Sequence, residues 1–326
     1  MSWYHSILLN LPEVAPPQQK KLSFKEKLKW TGITLLLFFV LSMVPLFGLG
    51  QNALQRFEIL SIILGASFGS ILSLGIGPLV TASIVLQLLK GSGLLNLDTN
   101  THEGKQLYQG IQKLSSIAFI IFEAIIYVFM GGLAPAPELL GTAAYLQLQW
   151  LLIFQLFLGG ILIMFMDEIV SKWGFGSGIS LFIAAGVSQS VFIRALSPLP
   201  SPTNPSIATG ALPALFQSLA AGDPQNAFLM LATIVSTIVI FVIAVFAQAM
   251  KIEIPLSFGR IRGHGIRWPL NFIYTSNIPV ILVSAFMANI QLWARLLQNK
   301  GYPLLGTFVG NTPATGLVSW LYSPDI

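Results

Sequence analysis

The sequence has no cysteine. Disulfides, thiolate metal sites and a cysteine nucleophile are therefore excluded, and the redox compartment leaves no trace in it. Charge is the next scarcity: Asp, Glu, Lys and Arg make up 9% of the 326 residues, against about 25% in soluble domains. That balance excludes an ordinary soluble enzyme, and a hydrophobic share of 54% excludes intrinsic disorder. Histidine is scarce too. The serine of Gly176-Ser177-Gly178 superficially suggests a membrane protease, but His5, His102 and His264 all fall outside the apolar runs, so it has no base within reach. Asp167-Glu168, beside Lys172, reads as a solvated pair at a membrane interface and not as paired acid/base catalysis. No phosphate-cradling loop, EF-hand or HExxH motif occurs. Neither enzyme chemistry, a cofactor nor a metal is expected.

What the sequence does have is long apolar runs. Trp30–Gln55, Ile59–Leu89, Leu139–Met166, Trp173–Ile193, Pro224–Met250 and Trp268–Ala294 carry no charge, and Leu114–Leu133 carries only Glu123. A spanning helix needs about 20 mostly apolar residues. The runs predict an all-α polytopic membrane protein with seven spans, near 28–47, 71–90, 112–133, 143–166, 176–195, 227–250 and 269–294. The charge-free run Ala195–Gly222 carries Pro198, Pro200, Pro202, Pro205 and Pro213, and its start reads as a loop.

Lysine and arginine are retained on the cytoplasmic side of short loops. With the N-terminus inside, cytoplasmic segments hold Lys20, Lys21, Lys25, Lys27, Lys29, Lys90, Lys105, Lys113, Lys172, Lys251, Arg260, Arg262 and Arg267, which is 13 of the 17 basic residues. Arg56, Arg194, Arg295 and Lys300 fall outside. A cytoplasmic N-terminus is the expected orientation. The basic, proline-bearing segment before the first span does not read as a cleavable signal.

Ile59–Leu89 is too long and too interrupted for one straight helix, with Gly65, Gly69, Gly75, Gly77 and Pro78 inside it. Broken helices at membrane depth are tolerated where the irregular backbone is buried in protein or lines an aqueous cavity. A half-helix around Asn52–Ser67 followed by a span from Ile71 is one reading, and a helix with packing glycines is the other. Ile76 and Val80, and likewise Ile179 and Ile183, are i, i+4 pairs on single helix faces. Each pair sits beside a glycine-rich break, Gly75-x-Gly77-Pro78 or Gly174-x-Gly176-x-Gly178, where ordinary packing and a cavity wall are both open readings. Polar groups inside spans are few: Glu123 is the one acidic or basic residue well inside a span, accompanied by Thr81, Gln87, Gln155, Ser276, Asn277 and Asn289. Such groups are costly and usually functional, although a hydrogen-bonded carboxyl between helices explains Glu123 equally well. An inverted-repeat transporter for a small solute is the alternative from another class, weakened by the lack of coupling-ion ligands beyond Glu123.

The stretches Phe24-Lys25-Glu26-Lys27-Leu28-Lys29-Trp30-Thr31-Gly32, Leu74-Gly75-Ile76-Gly77-Pro78-Leu79-Val80-Thr81, Asp167 through Ile179, Leu181 through Gln189, and Ser276-Asn277-Ile278-Pro279-Val280-Ile281 resemble the SecY family in its archaeal form, the pore-forming subunits of the Sec protein-conducting channel. The resemblance runs from residue 24 to about 293. It implies an inverted-repeat channel of two five-span halves that moves secretory polypeptides across the membrane and inserts membrane proteins into it. The family has ten spans, so this chain is expected to stop after the seventh. The implied layout is a cytoplasmic segment over 1–27, an N-terminal half over 28–195 with a plug half-helix at about 51–69, an external loop over 196–226, spans six and seven over 227–295, and an external tail over 296–326.

By the same resemblance, Ile76, Val80, Ile179, Ile183 and Ile278 belong to an apolar pore ring. Thr81, Glu123 and Asn277 belong to a polar lateral gate, and Arg56 and Glu58 flank the plug. Arg260, Arg262, His264 and Arg267 belong to a ribosome-contacting loop whose cations meet RNA phosphates. The implied partners are a SecE/gamma-type subunit, a small beta subunit, the ribosome, signal sequences with their nascent polypeptides, and membrane lipid. The implied location is the plasma membrane, or the endoplasmic reticulum membrane in a eukaryote.

Overall fold

A computed structural model of the chain describes residues 11–18, 22–52, 54, 64–95, 99, 101–200, 207–256, 266–271, 277–309 and 312–321. In chain order its elements are α1 (Phe24–Ser42), β1 (Gln51–Asn52), α2 (Gly77–Gly91), α3 (His102–Phe129), β2 (Leu133–Ala134), α4 (Ala143–Trp173), α5 (Gly178–Leu196), α6 (Ala211–Ala220), α7 (Pro224–Ala249), β3 (Lys251–Leu256), β4 (Ile266–Asn271), α8 (Asn277–Asn299), β5 (Thr307–Val309), β6 (Thr312–Thr315) and the single turn α9 (Leu317–Trp320). The described residues are mostly helical, and α3, α4, α5 and α7 are each long and apolar enough to cross a membrane.

The helices start where side chains satisfy the first free N–H groups. Ser23 and Glu26 form a reciprocal capping box on α1. Thr101 caps α3, Thr142 caps α4 and Asp223 caps α7, while Pro78 occupies the first turn of α2, where no N–H is needed. The second apolar run is broken. Residues 64–76 form turns, with Gly65, Gly69 and Gly75 at φ of 53°, 100° and 56°, a region other residues rarely enter. The expected span from Ile71 therefore starts at Gly77. A side chain at Gly75 would also strike the Leu64 carbonyl, which instead accepts the Ile76 N–H at 2.8 Å.

The chain divides into two compact units, Met1–Val187 with Ile281–Ile326, and Ser188–Val280. The first is built around one apolar cluster that includes Leu72, Leu74, Ile120, Leu152, Leu156 and Phe182. Gly159 of α4 lets that helix ride directly against the Ile71 carbonyl, and Gly160 meets Ile120 of α3. In the second unit α6 packs on α7, and β3 and β4 form an antiparallel ribbon from Lys251 opposite Asn271 to Leu256 opposite Ile266. Pro255 stands opposite Arg267 and Pro269 opposite Glu253 in that register.

Several boundaries differ from the sequence expectation. The seventh run begins as strand β4, because Pro269 bars a helix interior, and the described part of helix α8 runs over Asn277–Asn299. The segment read as external loop contains α6, whose Pro213 lies in the first helical turn, where proline is tolerated. The tail beyond residue 295 holds the end of α8, the β5–β6 hairpin and α9.

Candidate pore lining and polar gate

Ile76 and Val80 are fully buried, Ile183 is 9% exposed, and all three belong to the apolar cluster of the first unit, against which the half-buried Ile179 packs. Two local devices place these residues. On the α2 side, the Gly75 turn and the Ile76 N–H bond to Leu64 deliver Ile76 at the helix mouth. On the α5 side, Asp167 of α4 folds back across the 174–177 turn and its Oδ1 accepts the Ile179 N–H at 3.0 Å. Gly178 lies so close to the Asp167 backbone that a Cβ there would approach it to 2.6 Å. Thr31 of α1 accepts the Phe175 N–H at 3.2 Å and closes the turn from the other side. Asp167 is thus the cap of α5, and Glu168 pairs with Lys113 of α3. Both carboxylates are half-buried, so the expected solvated pair is a structural joint. Ile278 lies in α8, and its side chain is outside the described residues.

The polar gate residues converge more tightly. Asn289 of α8 donates from Nδ2 to Thr81 Oγ1 of α2 at 2.9 Å and to Glu123 Oε1 of α3 at 3.1 Å. The three are at most 1% exposed. Gly77 makes the approach possible, since a Cβ there would lie 2.9 Å from Asn289 Nδ2. Around the trio, Phe122 meets Trp293 edge-on at 5.6 Å between ring centres, and Tyr127 is fully buried. Of the three residues expected at the gate, the structure joins Thr81 and Glu123. Asn277 opens α8 about three turns earlier, with its side chain outside the described residues. Asn289 was visible in the sequence as an amide inside an apolar run, but a single chain without tertiary contacts does not say which amide meets Glu123.

Arg56 and Glu58, expected at the plug, lie outside the described residues, as do Arg260, Arg262 and His264 of the expected ribosome loop. The part of the expected plug that is described begins as β1, paired with β2, and Asn52 donates to the Phe68 carbonyl at 3.0 Å. Arg267 lies on β4 and donates to Glu253 of β3 at 3.0 Å, with both side chains exposed. An exposed pair of this kind contributes little to stability. Among the described residues no group of three or more His, Asp and Glu is arranged to hold a metal ion.

A family model described as SecY matches residues 70–323. The protein translocase subunit SecY of Methanothermobacter thermautotrophicus is 46% identical over 318 residues, covering 96% of this chain and 68% of the relative. Among solved structures, a protein-conducting channel superposes with a TM-score of 0.79 at 41% identity, over 98% of this chain and 69% of the other. Sec61 in the canine ribosome–channel complex from the endoplasmic reticulum gives a TM-score of 0.78 at 41% identity, again over 98% of this chain and 69% of that one.

Proposed function

Since the chain belongs to the SecY family, we propose that Ile76, Val80, Ile179, Ile183 and Ile278 wall the constriction of its protein-conducting channel. The observation that carries this is the meeting of both i, i+4 pairs at one apolar cluster, with Ile76, Val80 and Ile183 buried in it and Ile179 packed against it, each pair delivered by its own glycine turn. A collar of branched apolar side chains keeps out water and ions by dewetting and yields to a passing polypeptide without forming lasting hydrogen bonds. Beside it, Asn289 ties α2 and α3 to α8 through Thr81 and Glu123. Interhelical hydrogen bonds in membranes contribute about 0.6 kcal/mol each, a tie strong enough to favour a closed gate and weak enough for an apolar signal sequence to replace.

Seven spans, a cytoplasmic N-terminus and the plasma membrane complete the reading, with the domain limits and the plug around Arg56 and Glu58 as the family resemblance implies. Partners are a SecE/gamma-type helix, a small beta subunit, lipid, and a ribosome docked on Arg260, Arg262, His264 and Arg267. The test is photocrosslinking from probes at positions 76, 179 and 278 to a stalled secretory nascent chain, in membranes containing a SecE-type partner. Crosslinks from all three that vanish when the nascent chain lacks its signal sequence are expected. Their absence while ribosome and partner remain bound would overturn the pore assignment, and loss of ribosome binding as well would favour a small-solute transporter.

A further inference from the structure

Residues 11–18 form neither helix nor strand. Pro12, Pro16 and Pro17 remove three backbone donors and bar a helix, so the remaining N–H and C=O groups need partners from elsewhere. The last turns of α4 supply them. The Val14 N–H donates to Glu168 Oε2 at 2.9 Å, the Lys172 ammonium donates to the Val14 carbonyl at 2.6 Å, and the Trp173 indole N–H donates to the Ala15 carbonyl at 2.9 Å. Glu168 and Lys172 are i, i+4 neighbours on one helix face. Together they hold the donor and the acceptor of a single residue, as an adjacent β-strand does. Lys113 of α3 engages the other oxygen of Glu168 and keeps the acceptor in place.

The side chains of the segment play a smaller part. Pro12, Glu13, Ala15 and Pro16 are exposed, although Glu13 also pairs with Lys172. The segment is thus gripped mainly by its backbone. It borders a cavity of roughly 350 Å³ shared with Gln109 and Lys113 of α3, and Leu79 and Ile179 line the same cavity. Ile179 belongs to the proposed pore ring, so this polar vestibule reaches one member of that ring.

We propose that Glu168, Lys172 and Trp173 form a sequence-independent docking site for an extended polypeptide, which residues 11–18 occupy at rest and an entering unfolded chain takes over. The occupant follows from what is recognised: a free, extended main chain, which a folded domain does not offer and an unfolded polypeptide of any sequence does. Acid and base alternate across Lys113, Glu168 and Lys172, so the site does not select the charge of its occupant. The inference rests on the channel reading above.

A photocrosslinking residue at the exposed Ser171, which borders the vestibule, tests it in the complete membrane complex. At rest it is expected to capture residues 11–18 of its own chain. With a stalled nascent chain engaged, that self-crosslink should fall at least threefold and be replaced by crosslinks to the nascent chain, alike for acidic, basic and neutral passengers. Combining Glu168→Gln with Lys172→Met should weaken both captures. An unchanged self-crosslink, while probes at positions 76 and 179 capture the same nascent chain, overturns the docking site and leaves the channel intact. Capture confined to acidic passengers also overturns it, by showing selection for a side chain. Loss of capture at 76 and 179 as well overturns the channel reading itself.

Discussion

Helices α4 and α7 are both long and apolar, yet the apolar stretch of one is a core element and that of the other is exposed. Of the most apolar 18 residues of each, 44% are buried in α4 and none in α7. The difference lies in what interrupts the apolar pattern. On α4, Gly159 and Gly160 remove side chains where Ile71 and Ile120 press in, and Asp167 and Glu168 at its end bond to other segments. On α7, bulky residues such as Phe228, Phe241, Ile243 and Phe246 point outward, and Thr233, Ser236 and Thr237 bond only to carbonyls of their own helix among the described residues. Lipid is as apolar as leucine, so hydropathy says that a helix spans and says nothing about its neighbours; small and polar residues carry that information.

The most severe way to break the contrast is Gly159→Val. Its Cβ would overlap the Ile71 carbonyl, a backbone group that cannot step aside, and the expected loss is about 3 kcal/mol of stability, read as a collapse of the folded fraction in thermal unfolding followed by size-exclusion chromatography. Asn289→Leu applies the same logic to a polar contact. It leaves Thr81 and the buried Glu123 without their shared donor, a loosening of about 1–2 kcal/mol, and translocation assays should show passengers with weakened signal sequences accepted roughly tenfold better. Asp167→Ala removes the cap of α5, costing about 1 kcal/mol, and hydrogen exchange at residues 178–181 should quicken while α7 is untouched.

Smaller still is a pH effect on α7. The backbone N–H and side-chain amide of Asn226 hold the Asp223 carboxyl below its ordinary value, so its contribution is full above the unfolded carboxylate pKa and is lost as pH falls through the folded one. The first turn of α7 should therefore loosen in acid relative to neutral pH, and a Asp223→Asn variant should show less of this dependence in hydrogen exchange. At the far end of the scale, Ala244→Leu on the exposed face of α7 should change thermal stability by no more than about 0.5 kcal/mol. A large loss there would erase the contrast between the helices.

The same distinction explains what was legible in the sequence. Apolar runs announced the helical membrane fold, and clustered glycines with Pro78 announced the break before α2, because both signals are local. The isoleucine pairs were legible as faces, but their common cluster depends on where Asp167 ties α5. Asn289 was one amide among several, and only the approach past Gly77 selects it. The ribbon of β3 and β4 escaped a reading tuned to span length, which placed a span near 269–294 although Pro269 stood at its start. Helix α6 was hidden by the prolines around it, since Pro213 reads as a breaker unless the helix is known to start at Ala211.

Among the described residues the β3–β4 ribbon has two strands, so both are edges, and an edge is adhesive to any extended chain nearby. A protein whose passengers are unfolded polypeptides meets that hazard continuously. Pro255 and Pro269, one on each strand, carry no N–H, and proline on an edge strand is a device that blunts pairing with another chain, so the ribbon should resist zipping onto a passenger or onto its counterpart in a neighbouring molecule.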